Sequence, residues 1–130
     1  GIEVIDESYK ANPASMAAAL SILAASRPKG RRIAILGDML EMGEDAAAHH
    51  AGLAPHIEAA RTDLVFANGQ NMQALWDALP ASRRGAYALT SAELAPKVLA
   101  ALKPGDVVLI KGSLGSRMSV IVDALKKGNA

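Results

Sequence analysis

Five short apolar runs, each followed by a helical repeat, decide what this chain can fold into. The runs are Ile2–Ile5, Arg32–Leu36, Leu64–Ala67, Ala86–Leu89 and Val107–Ile110. Most are continuously apolar and rich in valine and isoleucine. A strand with one face in water would alternate, so these strands are read as covered on both faces. Between them apolar residues recur every three or four positions. Met72, Leu75, Trp76 and Leu79 do so, as do Met118, Ile121, Val122 and Leu125. Met16, Leu20 and Leu23 mark the first helix, and Leu94, Val98 and Leu102 the fourth. Such stripes could serve partners, but each helical pattern carries one, and packing against a shared sheet explains them together.

Helix-start signals agree with this spacing. Asn12-Pro13 and Thr90-Ser91 stand where two helices begin, and Gly69 and Gly115 open others. Strand–helix alternation throughout gives a parallel sheet with right-handed crossovers. The expected fold is therefore α/β, Rossmann-like and doubly wound, with a mostly parallel sheet and helices on both faces. Neither linker nor repeat divides residues 1–130, which are read as a single domain.

Composition narrows the function. Hydrophobic residues make up 51% of the chain, too many for disorder, while aromatics at 3% leave the core to aliphatic side chains. Lys+Arg 14 against Asp+Glu 13 gives a net charge of +1, which argues against nucleic acid or an anionic membrane as partner. Without cysteine there is no disulfide, thiolate nucleophile or Cys-based zinc site, in keeping with a cytoplasmic protein. No apolar stretch approaches the roughly 20 residues that span a bilayer, and no signal-peptide pattern follows Gly1. A start at Gly1 instead of Met leads us to expect a piece of a longer protein.

In open α/β sheets ligands gather beyond the carboxyl ends of the strands. The turns of interest are therefore Asp6–Asn12, Gly37–Gly43, Asn68–Asn71, Thr90–Ser91 and Lys111–Arg117. Asp6 and Glu7 suit ribose hydroxyls or an ammonium group. They could equally satisfy loop amides, with Asn12 acting only as a cap. Lys10 could reach a phosphate but reads better as a solvated lysine. Asp38 and Glu41 could grip a cation or cap a helix near Glu44 and Asp45. Lys111, Ser113, Ser116 and Arg117 surround Gly112 and Gly115, a turn that favours anions.

Several chemistries are missing from the pattern. The last turn fits neither G-x-G-x-x-G nor the phosphate-loop pattern G-x-x-x-x-G-K-[ST], so the chain is not expected to activate a nucleoside triphosphate alone. His49, His50 and His56 fall in one helical pattern without H-E-x-x-H spacing, and His50 is read as structural. G-x-S-x-G is absent too. No metal site is expected.

Three stretches, "VIDESYKANPASMAAAL", "ILGDMLEMGEDAAAHHAG" and "VLIKGSLGSRM", together resemble the C-terminal domain of the Mur ligases, in the branch that adds D-alanyl-D-alanine. The family pattern runs approximately D-[DE]-S-Y-N-A-N-P-x-S-M, then G-D-M-x-E-L-G with a downstream histidine, then K-G-S-R. The matches come in that order and span nearly the whole chain.

The resemblance implies a ligase of three domains: one binding the UDP end, a central ATPase domain with the phosphate loop, and this one, residues 1–130. ATP with Mg2+ would activate the carboxylate of UDP-MurNAc-tripeptide as an acyl phosphate, and the amine of D-alanyl-D-alanine would attack it. This domain would close over the central ATPase domain, binding no cofactor and supplying no catalytic residue by itself. By motif, Asp6, Glu7, Tyr9 and Asn12 would contact ATP on closure. Asp38, Glu41, Ser113, Ser116 and Arg117 would border the acceptor dipeptide. Glu7 stands where related ligases favour aspartate, Lys10 replaces an asparagine and Leu114 an arginine; His50 matches the family histidine.

A non-enzymatic reading competes, namely a stand-alone Rossmann-like regulatory or small-ligand-binding module. Asp6, Glu7, Asp38 and Lys111 superficially supply the acids and lysine of a receiver domain.

Overall fold

The computed structural model describes residues 1–7 and 10–128. β1 (Glu3–Glu7) leads into α1 (Pro13–Ala25), and β2 (Arg32–Gly37) into the short helices α2 (Ala46–Ala51) and α3 (Ala54–Ala59). β3 (Leu64–Asn68) precedes α4 (Met72–Ala78), β4 (Arg84–Ala88) precedes α5 (Ser91–Ala101), and β5 (Val107–Lys111) precedes α6 (Ser119–Gly128). The strand order is β1-β5-β2-β3-β4, and every pairing is parallel.

The strand faces explain the apolar runs. On one face Ala34, Leu36, Val65, Ala67 and Leu109 meet Met16, Leu20 and Leu23 of α1, Ile57 of α3 and Met72 and Leu75 of α4. On the other, Ile33, Ile35, Phe66, Val108 and Ile110 meet Leu94 and Val98 of α5 and Ile121 and Leu125 of α6. Each Val, Leu, Ile, Met or Phe among them contributes about 1.5–3 kcal/mol when taken from water, and the interior strand β5 is buried along its whole length.

The chain changes face once. It winds outward through β2, β3 and β4 with helices on the first face, then returns by α5 across the second to insert β5 between β1 and β2. That switch opens crevices at the carboxyl end of the sheet. Register aligns the end: Glu7 lies beside Lys111, which lies beside Leu36, while Gly37, Asn68 and Ala88 form the next row. All five turns of interest therefore leave the sheet at one end.

Two expectations need correction. The helical pattern holding the three histidines is two helices, broken at Gly52-Leu53, with Pro55 in the first turn of α3. Gly115 does not open a helix. It lies in a 3-10 turn, Leu114–Ser116, followed by left-handed Arg117 at φ 54, and α6 starts at Ser119.

Candidate functional site

The pleat of β1 sends successive side chains to opposite faces. Ile5 packs with the α1 side and Val4 with the α6 side, so Glu7 follows the former and Asp6 the latter. Asp6 is exposed, whereas Glu7 is half-buried with Oε2 3.8 Å from Lys111 Nζ. Lys111 is 3% exposed, and its ammonium donates to the carbonyls of Lys10 at 2.8 Å and Glu7 at 3.4 Å. A charge this deep persists only with such partners. The lysine read as part of the last turn thus braces the first one, on the far face of the sheet. Asn12 forms a capping box: its Oδ1 accepts from the Ser15 amide at 2.8 Å, and Ser15 Oγ accepts from the Asn12 amide at 2.9 Å. Tyr9 lies outside the described residues.

Asp38 ties three turns together. Its Oδ1 accepts from the Met72 amide at 2.9 Å and its Oδ2 from the Asn71 amide at 3.2 Å. Its own carbonyl accepts from the Ser113 amide at 3.1 Å. Asn71 gives α4 no side-chain cap, so an acid more than thirty residues upstream satisfies the amides of the first turn, where the helix dipole favours negative charge. Gly69 makes room for it. Its φ of +116 suits glycine, and a Cβ there would stand 2.2 Å from Asp38 Oδ1. The Tyr87 hydroxyl donates to the Gly69 carbonyl at 2.6 Å. Burial, then the nearby Asp38 and Asp77 charges, push this phenol above its ordinary pKa and keep it a donor.

His50 holds the loop that carries Asp38. It is fully buried, and its Nε2 accepts from the Met39 amide at 2.9 Å. Nε2 therefore bears no proton, so Nδ1 donates to the Ala46 carbonyl at 2.6 Å. The structural reading of His50 fits this geometry. Glu41, in the same loop, is exposed and left-handed at φ 61.

The last turn folds back on the sheet. Gly37 permits the approach, since a Cβ there would come within 2.6 Å of Met118 Sδ and Ser116 Oγ. Ser116 Oγ donates to the Ser113 carbonyl at 2.6 Å, and the buried Ser113 hydroxyl has no hydrogen-bond partner among the described residues. Between this turn and the ends of β3 and β4 runs a cleft of about 470 Å3. Asp38, Asn68, Thr90, Ser91, Ser116 and Arg117 line it, with exposed Leu40, Leu89 and Val120 among its apolar walls. A larger hollow of about 590 Å3 opens around Lys29 and Gly105 at the amino end, where parallel α/β sheets do not place ligands.

The cleft gathers Asp38, Ser116 and Arg117 of the residues expected to border an acceptor. Glu41 and Ser113 do not line it, nor do Asp6, Glu7 and Asn12, which leave the same end of the sheet farther along. Asn68, Gln70, Leu89 and Thr90 line it as well: the first two and Thr90 lie in turns of interest without being among those expected to border a ligand, and Leu89 ends an apolar run. Asp6, Glu7, Asp38 and Lys111 form no common acidic pocket: Asp38 is spent on α4 and Lys111 on the first turn. Among the described residues no three His, Cys, Asp or Glu side chains converge as a metal site. One guanidinium, the start of α5, hydroxyls and short apolar walls suit a small carboxylate-bearing ligand.

The family model described as Mur ligase, glutamate ligase domain, matches residues 1–114. The chain is 36% identical to the UDP-N-acetylmuramoyl-tripeptide–D-alanyl-D-alanine ligase of Mycobacterium tuberculosis (strain ATCC 25618 / H37Rv), over 96% of this chain and 29% of that protein. It is 32% identical to the Escherichia coli (strain K12) enzyme of that name, over 95% of this chain and 27% of that protein. Among solved structures, MurF from Acinetobacter baumannii superposes with a TM-score of 0.84 at 27% identity, covering 95% of this chain and 28% of that one. MurF ligase from Thermotoga maritima in complex with ADP shares the fold at TM-score 0.80 and 22% identity, over 98% of this chain and 29% of that one. The chain thus spans under a third of the length of the relatives it matches. The family-model match over residues 1–114 and sequence agreement along nearly the whole length place this chain in the Mur ligase family, as a glutamate ligase domain.

Proposed function

We propose that this chain is the C-terminal, acceptor-binding and closing domain of an ATP-dependent ligase. That ligase joins D-alanyl-D-alanine to UDP-MurNAc-tripeptide in cytoplasmic peptidoglycan precursor synthesis. One observation carries the reading: the three motif-bearing turns leave one end of one sheet, beside a carboxylate-suited cleft, in a chain without a phosphate loop. On this reading triphosphate and Mg2+ belong to a central ATPase domain, against which this end of the sheet closes. The names of the relatives supply the substrates.

Bound ATP supplies the phosphoryl group that turns the tripeptide carboxylate into an acyl phosphate. This chain contributes position. Asp6, exposed at the end of β1, and Asn12, whose side-chain Nδ2 the capping box leaves unused, fit the hydroxyls of a nucleotide on the facing domain. Glu7 supports the turn through Lys111, and Tyr9 belongs to the same motif. In the cleft Arg117 takes the dipeptide carboxylate. Ser116 and Ser113 shape the turn, Asp38 fixes the floor, and Glu41 stands in the loop behind Leu40. Closure brings the dipeptide amine to the acyl carbon; the C–N bond forms, phosphate leaves and the amine proton goes to solvent or a neighbouring base.

The test is the longer ligase carrying this domain. D-alanyl-D-alanine should trigger phosphate release from ATP, and Arg117→Ala should raise KM for the dipeptide about tenfold or more, as loss of a charge-assisted pair does. The isolated domain should hydrolyse no ATP. Unaided turnover by the domain, or a longer protein indifferent to the dipeptide, would overturn the reading.

A further inference from the structure

We propose that Asn68 reads the peptide N–H of the acceptor dipeptide, making it a specificity-determining residue of the cleft; this rests on the function proposed above. Asn68 ends β3, is 1% exposed and lines the cleft. Phe66, two residues earlier, packs on the α5–α6 side, and the pleat sends Asn68 the same way. A carboxamide offers two donors and two lone pairs. Here Nδ2 donates once, at a long 3.4 Å, to the Ser116 carbonyl, and Oδ1 has no hydrogen-bond partner among the described residues.

Burying an unsatisfied carboxamide costs stability that an apolar residue would not. β3 is apolar from Leu64 to Ala67, so packing alone would continue that pattern. What packing does not explain, a ligand does. The atom left over is an acceptor of hydrogen bonds, so the ligand brings an N–H. In a dipeptide that N–H lies two bonds from the terminal carboxylate carbon, within reach of a cleft that also holds Arg117. The long contact to Ser116 engages only the donor Nδ2, so it leaves the acceptor Oδ1 to the ligand N–H. Short apolar walls at Leu40, Leu89 and Val120 suit methyl side chains.

The probe pair is D-alanyl-D-alanine and D-alanyl-D-lactate, which differ by an N–H replaced with an ester oxygen. In the full-length ligase the wild type should prefer the dipeptide by roughly tenfold or more in kcat/KM. Asn68→Val, which keeps bulk and suits a strand, should raise KM for the dipeptide by about tenfold and bring the preference toward one. KM for ATP and for UDP-MurNAc-tripeptide should stay within about twofold. Asn68→Asp keeps an acceptor oxygen and should retain the preference, whereas a purely structural role would shift the melting temperature and leave selectivity alone. An Asn68→Val enzyme as selective as the wild type overturns the inference and spares the function. A wild type that ligates neither compound overturns both.

Discussion

At the start of β5 the Asp106 carboxylate is 2% exposed and meets four donors. Its Oδ1 takes the Arg31 amide and Nε, both at 3.1 Å; its Oδ2 takes an Arg31 guanidinium nitrogen at 2.9 Å and the Lys103 amide at 2.8 Å. At the end of the same strand the Lys111 ammonium, 3% exposed, holds one carbonyl at 2.8 Å, another at 3.4 Å and the Glu7 carboxylate at 3.8 Å. The amino end closes its charge with a bidentate ion pair and backbone amides, the arrangement that best offsets desolvation. The carboxyl end uses a longer reach to a turn that carries a ligase motif. The contrast separates a region whose task is to hold the sheet from one whose task is to present residues.

Asp106→Ala should cost about 3 kcal/mol in denaturant unfolding, the lower end of the range for a broken buried pair because Arg31 can turn to water. Burial pushes the Asp106 carboxyl up, but the Arg31 side chain and the Lys103 and Arg31 amides outweigh it and leave the group below its ordinary 3.8. A depressed folded-state value means stability is present above 3.8 and is lost as pH falls through the lower folded value. Unfolding free energy should therefore drop below about pH 4, and Asp106→Asn should flatten that part of the profile. An unchanged profile in the variant would remove Asp106 as the lock.

Lys111→Met is the matching test at the other end and should cost less, about 1–2 kcal/mol, since Glu7 is exposed enough to be rehydrated. The signature is where the loss appears. Amide exchange should quicken in the first turn of α1, around Asn12 to Ser15, with the Arg31–Asp106 end protected as before. Uniform loosening of the sheet would instead make Lys111 a second lock.

What the sequence disclosed follows the same division. Strand positions could be read within a residue or two because both faces of the sheet bury aliphatic side chains. Apolarity stops at Leu36, Ala67 and Ile110, one residue before β2, β3 and β5 end, while backbone pairing continues through Gly37, Asn68 and Lys111. That single residue mattered. Counted as strand, Lys111 must share a face with Leu109 and so point toward α1; counted as loop, it groups with Ser113. Asp38 capping α4 was illegible for another reason, because the bond spans two turns that only strand order brings together. The cleft walls at Leu89 and Thr90 depend on β4 lying beside β3, which no local pattern encodes.

Asn12 serves the fold through Oδ1 in the capping box, while its motif membership concerns a ligand. Two variants separate these roles. Asn12→Ala removes the cap and should cost about 1 kcal/mol. Asn12→Asp keeps an oxygen facing the Ser15 amide, so thermal unfolding should move by only a few tenths of a kcal/mol. It also exchanges the amide donor for a carboxylate. In the full ligase, a KM for ATP raised several-fold by Asn12→Asp at unchanged stability would assign the nitrogen to the nucleotide. Equal KM in wild type and Asn12→Asp would leave Asn12 a helix cap, and would move the presenting role at this end of the sheet to Asp6.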